Sequence, residues 1–327
     1  MTIKITELRQ IVKKALMTVY KEGYADLITD VIMYGETSGR KSHGILRLLK
    51  ENFGVFVDHI QGDPEYIYKT TVSTVIDGKG NPGMLVAPLA MIEVIKLAKE
   101  HGIGIVGTNH SINSTGAVSY YCEKIAQEDL IAIVMTHSSL FIAPFNSKKA
   151  LFGTNPISFG IPGEPYPLIF DMSTAAITFG EIAKLKSEGK KLPQDVAIDK
   201  EGAITTDPSK AMEGALLSFH NSYKSSGLAM MVELLAGAWT GASYGNSELK
   251  NGWGNLYMAF SPNLLSSTEE FKQKSKQLIK TLQTIETRDS KAVRIPGEHT
   301  RTVRNENIAK GEIEVHDAVL KRIQEIQ

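Results

Sequence analysis

APLAMIEVIKLAKEHGIGIVGT, residues 87–108, decides the fold class. The first sixteen residues read as a helix that Gly102 ends, and IGIVGT reads as a strand that follows at once. The same rhythm returns in TGAVSYYCEKIAQED (115–129), a helix, and LIAIVMTHSS (130–139), a strand. NPISFGIP and PLIFDM supply further strands, and another helix is expected from about Ala175. Strands alternating with helices of this length define an α/β protein.

Working outward, the flanks change character. Leu8, Ile11, Val12, Ala15, Leu16 and Val19 fall at helical spacing, Gly23 stops that helix, and a second runs over about 25–34. GETSGRKSHGILRLL (35–49) is a small-residue turn leading into a helix that carries Ile45, Leu46, Leu48 and Leu49. TTVSTVIDGKGNPG (70–83) reads as a strand and a glycine-rich turn. Beyond the block, residues 191–210 are polar and expected to wrap the surface. GLAMMVELLAGAWTG (227–241) is so apolar that burial on every side is expected. Charged and mixed helices finish the chain. The division expected is an α/β lobe over 73–227 inserted into a mostly helical domain built from 1–72 and 228–327.

Composition narrows the function. The 327 residues are 42% hydrophobic and 22% charged, and 36 basic side chains balance 36 acidic ones, so nothing attracts nucleic acid or an anionic membrane. A single cysteine, Cys122, rules out an internal disulfide. No metal-ligand spacing occurs, and the opening residues form an amphipathic helix rather than a signal-peptide core. No apolar run is long enough to span a bilayer, and a cytoplasmic location is expected. GIGIVG (102–107) matches a dinucleotide-type glycine pattern, but a helix precedes it and its interior is strand-forming. It reads as a helix cap and a closely packed strand.

Four patches carry chemistry. Ser42, His43 and Arg47 at a helix start suit a small carboxylate: arginine can grip it bidentately, and free helix N–H groups favour an anion. A serine cap with a solvated arginine is the plainer alternative. FDMST (170–174) joins a strand to a helix, a natural place for a phosphate or a ribose, or simply for a cap. Tyr223–Gly227 places Lys224 between small residues at a helix start, where it holds a phosphate or lies on the surface. Glu233, the lone acid in the apolar helix behind it, must be paired, at an interface or functional. PFNSKKALFGTNP (144–156) is a small-residue loop with two lysines.

Taken together and in order, SGRKSHGILRL, DGKGNPG, the strand and loop around His110, APFNSKKALFGTNPISFGIPG, FDMST, YKSSGLAMMVELLAGAWTG and the late PGE resemble the malate/L-lactate dehydrogenase family that lacks a Rossmann fold. The resemblance runs nearly end to end. It implies an L-sulfolactate-dehydrogenase-like α/β fold, a homodimer, and an NAD or NADP cofactor bound in the middle lobe. It implies hydride exchange with a small 2-hydroxy or 2-oxo acid of ureidoglycolate, malate, lactate or sulfolactate type. A cyclic imine acid, or loss of turnover, is the alternative. By position, Ser42, His43 and Arg47 would face substrate, and Ser138, Asp171, Met172, Ser173 and Lys224 would face the cofactor. His299 is included because the PGE loop approaches the cofactor in that family. Lys148 and Lys149 are conceivable contacts for a 2′-phosphate.

The family places an acid/base histidine after this strand, about two residues before the glycine that opens the next helix. Here that slot, counted back from Gly116, holds Ser114, and His110 lies six residues before the glycine. Either the loop bulges and His110 reaches the same place, or Ser114 occupies it and His43 takes the proton. The reading adopted makes His110 the acid/base, because imidazole titrates near neutrality and a serine does not.

Overall fold

The computed structural model describes residues 1–245, 252–289 and 291–326. The chain opens with β1 (Thr2–Lys4), α1 (Ile5–Leu16) and α2 (Glu22–Thr37). Two short 3-10 turns, Lys41–His43 and Ile45–Leu48, follow where a longer helix was expected. The reason is Gly44, whose φ of −95° and ψ of −140° break the helical path between them. Next come β2 (Glu65–Thr70), β3 (Ser73–Asp77), α3 (Gly83–His101), β4 (Ile103–Ser111), α4 (Val118–Gln127) and β5 (Ile131–Thr136). Gly102 closes α3 in the left-handed conformation at φ +81°, where a side chain would be strained.

The middle of the chain continues with β6 (Ile142–Ala143), β7 (Ile157–Ile161), β8 (Leu168–Met172), α5 (Phe179–Ser187), β9 (Ala197–Ile198), α6 (Pro208–Glu213) and β10 (Ala215–Leu217). It ends with α7 (Tyr223–Val232), β11 (Trp253–Phe260), α8 (Thr268–Thr284), α9 (Glu298–Lys310), β12 (Glu312–Glu314) and α10 (Asp317–Gln324).

Seven strands form the main sheet in the order β2-β3-β4-β11-β5-β7-β8. Only β3 and β4 run parallel; every other neighbouring pair is antiparallel. β11 lies at the centre, with Tyr257 opposite Val106 on one side and Val134 on the other. It comes from residues 253–260, outside the 73–227 segment assigned to the α/β lobe, and β2 also precedes that segment. Both are nonetheless hydrogen-bonded into the sheet.

The main core joins α1–α4 to one face of this sheet, with Leu8, Leu16, Ile28, Ile32, Met84, Leu85, Tyr121 and Tyr257 fully buried. A smaller core around Ile142, Ile182 and Leu216 lies under the three-stranded sheet β6-β10-β9. The all-apolar helix differs from expectation. Its Ala229, Val232 and Ala236 pack inward, while Met230, Met231, Leu234 and Trp239 are exposed. Beyond Val232 it widens into a π-helical segment, Glu233–Ala238. Apolar composition alone did not distinguish a one-sided helix from a fully enclosed one. Among the described residues, no helix is long and apolar enough to cross a membrane.

Candidate active site

A cleft of about 300 Å³ gathers residues from several separate stretches of the chain, and four of them hold the residues that the sequence singled out. The first is the turn 40–47. Its shape depends on Glu36 of α2, which is buried beneath it. One Glu36 carboxylate oxygen accepts the Ile45 backbone N–H at 3.0 Å and the other takes the Lys41 ammonium at 2.5 Å. A Cβ on Gly44 would lie 1.9 Å from that carboxylate, so only glycine lets the turn sit on it. The result turns Ser42, His43 and Arg47 into the cleft.

Ser42 Oγ lies 3.0 Å from His43 Nδ1. Burial, then the positive charges of Arg47 and Arg40, push the His43 imidazole down to about 3, so it stands neutral. Burial pushes the Arg47 guanidinium down to about 10. It donates to the Asn52 carbonyl, but its Nε is buried without a partner, and no carboxylate pairs with it among the described residues. An arginine held this way, in a cleft beside a neutral imidazole, can pair with an anion from outside the chain.

The second and third stretches are the ends of β5 and β8. Thr154 N–H donates to Ser138 Oγ at 3.3 Å, and Ser173 Oγ donates to the Thr154 carbonyl at 3.0 Å. Both serines are thereby tied to the Gly-Thr-Asn-Pro segment. Asp171, at the end of β8, accepts from Arg40 at 2.5 Å. Met172 and Ser173 complete this wall. Aromatic rings form another side: Phe141 packs edge-on against Phe179 at 4.5 Å, and Phe53 lies 6.0 Å from both Phe141 and Trp253.

Behind this wall runs a buried network. Asn155, held at φ +37°, donates to Glu233 Oε2 at 2.7 Å and to the Ala229 carbonyl at 2.9 Å. His137 Nε2 lies 3.3 Å from Glu233 Oε1, which also accepts the Gly245 N–H at 2.7 Å. Burial alone would raise the Glu233 carboxyl; its bonds and charge contact with His137, with Asn155 and Gly245, more than offset that and hold it below the usual range. Glu233 is therefore paired inside the fold. His137, one residue before Ser138, is fully buried in this network and does not line the cleft.

The fourth stretch is the loop after β4, and here the structure does not bring His110 to the cleft. Ser114 lines the cleft; His110 does not. His110 is still within β4, at φ +47° where the register with β11 slips between the Thr108–Asn255 and Ser111–Trp253 pairs, and Asn113 beyond the strand takes φ +62°. His110 Nδ1 lies 3.1 Å from Asp77 Oδ1, and Lys79 holds the other Asp77 oxygen at 3.1 Å. The loop is pinned from the far side: Asn113 Nδ2 donates to the Gly54 carbonyl at 2.7 Å, and Ser114 N–H to the Phe53 carbonyl at 3.2 Å.

Lys224 and His299 also lie outside the cleft. Lys224 is exposed at the start of α7, where a capping box between Ser222 and Ser225 already satisfies the helix end. His299 is exposed near the start of α9. Sequence reasoning missed Arg40, Phe53, Phe141 and Trp253, and it named Thr154 in the fourth patch without giving it a role. Arg40 stands two residues before Ser42 in the motif already singled out; the aromatic residues carried no local signal.

A second recess, of about 380 Å³, shares Arg40 and Asp171 with the cleft and is lined by Arg294, Arg301, Arg304, Tyr34 and Tyr166. Among the described residues, no group of three or more histidine, cysteine or acidic side chains could hold a metal ion.

The strand ends of a mixed α/β sheet thus enclose a small cleft that carries Arg47 and a neutral His43. Residues 3–324 match the family model for malate/L-lactate dehydrogenase, and the chain belongs to that family of hydroxyacid dehydrogenases. The L-sulfolactate dehydrogenase of Methanocaldococcus jannaschii is 33% identical over 96% of this chain and 94% of its own length. The ureidoglycolate dehydrogenase (NAD(+)) of Escherichia coli O157:H7 is 30% identical over 87% of this chain and 84% of its own. Among solved structures, Δ1-piperideine-2-carboxylate reductase from Pseudomonas syringae pv. tomato superposes with a TM-score of 0.88 at 27% identity, covering 100% of both chains.

Proposed function

We propose that the protein is an NAD(P)-dependent oxidoreductase interconverting a small 2-hydroxy acid and its 2-oxo acid. One observation carries the reading: the half-buried Arg47 guanidinium, with a buried, free Nε and no carboxylate partner among the described residues, stands in the same cleft as His43. Arg47 binds the substrate carboxylate. Ser42 and His43 face the hydroxyl or carbonyl oxygen, and the neutral imidazole of His43 accepts the hydroxyl proton during oxidation. Ser138, Asp171, Met172 and Ser173 form the wall against which the cofactor rests. When bound, the nicotinamide exchanges a hydride with the substrate carbon. Residues of the protein fit that role: the Arg40–Asp171 pair joins the cleft to a basic recess, which suits a ligand carrying phosphates.

In this reading the acid/base role passes from His110 to His43. A carboxylate bound at Arg47 cancels one of the two charges that keep His43 deprotonated, so substrate binding raises its proton affinity toward that of a usable acid.

The same observation favours a second reading. In the reducing direction a neutral His43 donates a proton poorly, whereas a cyclic imine acid protonated at nitrogen brings its own. Its carboxylate suits Arg47 equally. The test is a screen of reduced cofactor against 2-oxo acids, ureidoglycolate and cyclic imine acids, read by nicotinamide absorbance. Turnover of oxo acids supports the first reading, and turnover of imines alone supports the second. Cofactor binding without turnover of any acid overturns both.

A further inference from the structure

The candidate cleft, at about 300 Å³, lies at the small end of the roughly 300–1,000 Å³ that drug-sized ligands occupy. It can take a nicotinamide ring beside a small acid, not a whole dinucleotide. The rest of such a cofactor has to leave the cleft, and the neighbouring recess begins at its wall, across Arg40 and Asp171.

The charge in that recess is unbalanced. Arg40, Arg294, Arg301 and Arg304 line it, against Glu123 and Asp171, so the four cations exceed the two anions by two. Two of the arginines are spoken for: Arg40 pairs with Asp171 at 2.5 Å, and Arg304 pairs with Glu123 at 2.6 Å while lying over the Tyr34 ring. Among the described residues the other two have no carboxylate partner. Arg301 rests over the Tyr166 ring at 5.0 Å, and Arg294 forms no ion pair. Arg304 also keeps a buried Nε without a partner. The excess of two positive charges matches a phosphate monoester, which carries about −1.5 to −2 at neutral pH. Thr300, in the first turn of α9, lines the same recess, and no side chain caps that helix. A cofactor with its nicotinamide ring in the cleft would carry its diphosphate past the join, at Arg40. Neither Arg294 nor Arg301 lines the cleft, so both lie toward the end that the far part of such a ligand would reach; Arg301 also borders an adjoining recess with Glu164 and Glu298.

Resting on the dehydrogenase reading above, the geometry points to Arg294 and Arg301 as the residues that receive the ribose 2′-phosphate, making NADP the preferred cofactor. Lys148 and Lys149, conceivable for this role on sequence grounds, line neither the cleft nor the recess; the Lys148 stem packs on Gly202 instead.

Calorimetry on the whole protein isolates the 2′-phosphate without turnover, using adenosine 2′,5′-bisphosphate and adenosine 5′-monophosphate as probes. The bisphosphate is expected to bind at least about tenfold more tightly, the return on one charge-assisted contact. Arg294→Gln and Arg301→Gln are each expected to shrink that ratio severalfold, and together to bring it near one. Arg294 makes no side-chain hydrogen bond or ion pair among the described residues, so Arg294→Gln keeps the test valid if the Arg301 variant folds poorly. Equal binding of the two nucleotides, or a ratio that both variants leave untouched, overturns the proposal. If that result comes with NADH turnover of an acid substrate, the dehydrogenase reading survives it. A high bisphosphate ratio without turnover of any acid upholds the phosphate site and sinks the dehydrogenase reading.

Discussion

Replacing Arg47 by methionine removes a charge and keeps most of the volume. Burial lowers this guanidinium from 12.5 to about 10, which corresponds to about 3 kcal/mol at about 1.4 kcal/mol for each tenfold step. The free protein bears that cost, and a substrate carboxylate offsets it by pairing with the cation. Arg47→Met is therefore expected to raise KM by on the order of 100-fold. Stability moves the other way or hardly at all. The variant loses the bond to the Asn52 carbonyl, worth about 1.5–3 kcal/mol for a charged donor, but it also loses the desolvation cost. The melting temperature should stay level or rise.

A third consequence concerns His43. After burial, Arg47 is the largest influence that keeps its imidazole deprotonated. Without that charge the imidazole holds its proton to higher pH, so the acid limb of the oxidation rate moves upward in pH. Steady-state kinetics across pH, with calorimetric melting, reads all three effects. A folded variant whose KM stays within about threefold of the parent, with an unmoved acid limb, would refute the assignment of Arg47 as carboxylate partner.

Further outcomes are expected elsewhere. His43→Gln should lower kcat by about 10²–10⁴, the usual contribution of a positioned acid/base, with little change in KM. His110→Ala should leave kcat within about threefold of the parent, since its partner is Asp77 on the far side of the loop; a large kcat loss would return the proton role to His110. Glu233→Gln should lower stability by about 1–3 kcal/mol in thermal melts, because a buried carboxylate accepting from Asn155 and Gly245 would be replaced by a group with one acceptor fewer.

The α/β class was legible because the segments that define it are local. α3, β4, α4 and β5 each carry their own periodicity and are separated by glycines or polar turns. The central strand was not. WGNLYMAF (253–260) is a short apolar run following a glycine-rich stretch, and only pairing with β4 and β5, more than a hundred residues earlier, makes it the middle of the sheet.

The same contrast holds at the site. Ser42, His43 and Arg47 lie within six residues, and Asp171–Ser173 are consecutive, so their grouping survives in one dimension. That His110 faces Asp77 and not the cleft was not legible, because it depends on left-handed backbone at His110 and Asn113 and a register slip in β4, which side-chain chemistry does not announce. The position of Lys224 outside the cleft was not legible either, since the helix end beside it is capped by Ser222. Arg40 was missed because its partner, Asp171, comes from a strand 131 residues away.

The most direct measurement compares a 2-oxo acid with its carboxamide, at saturating reduced cofactor, in the parent protein and in Arg47→Met. The parent should reduce the acid with a kcat/KM at least about 100-fold above the amide, and the Arg47 variant should lose most of that discrimination by failing on the acid. Comparable rates on acid and amide in the parent, or full discrimination retained without Arg47, would contradict a cleft organised around a carboxylate.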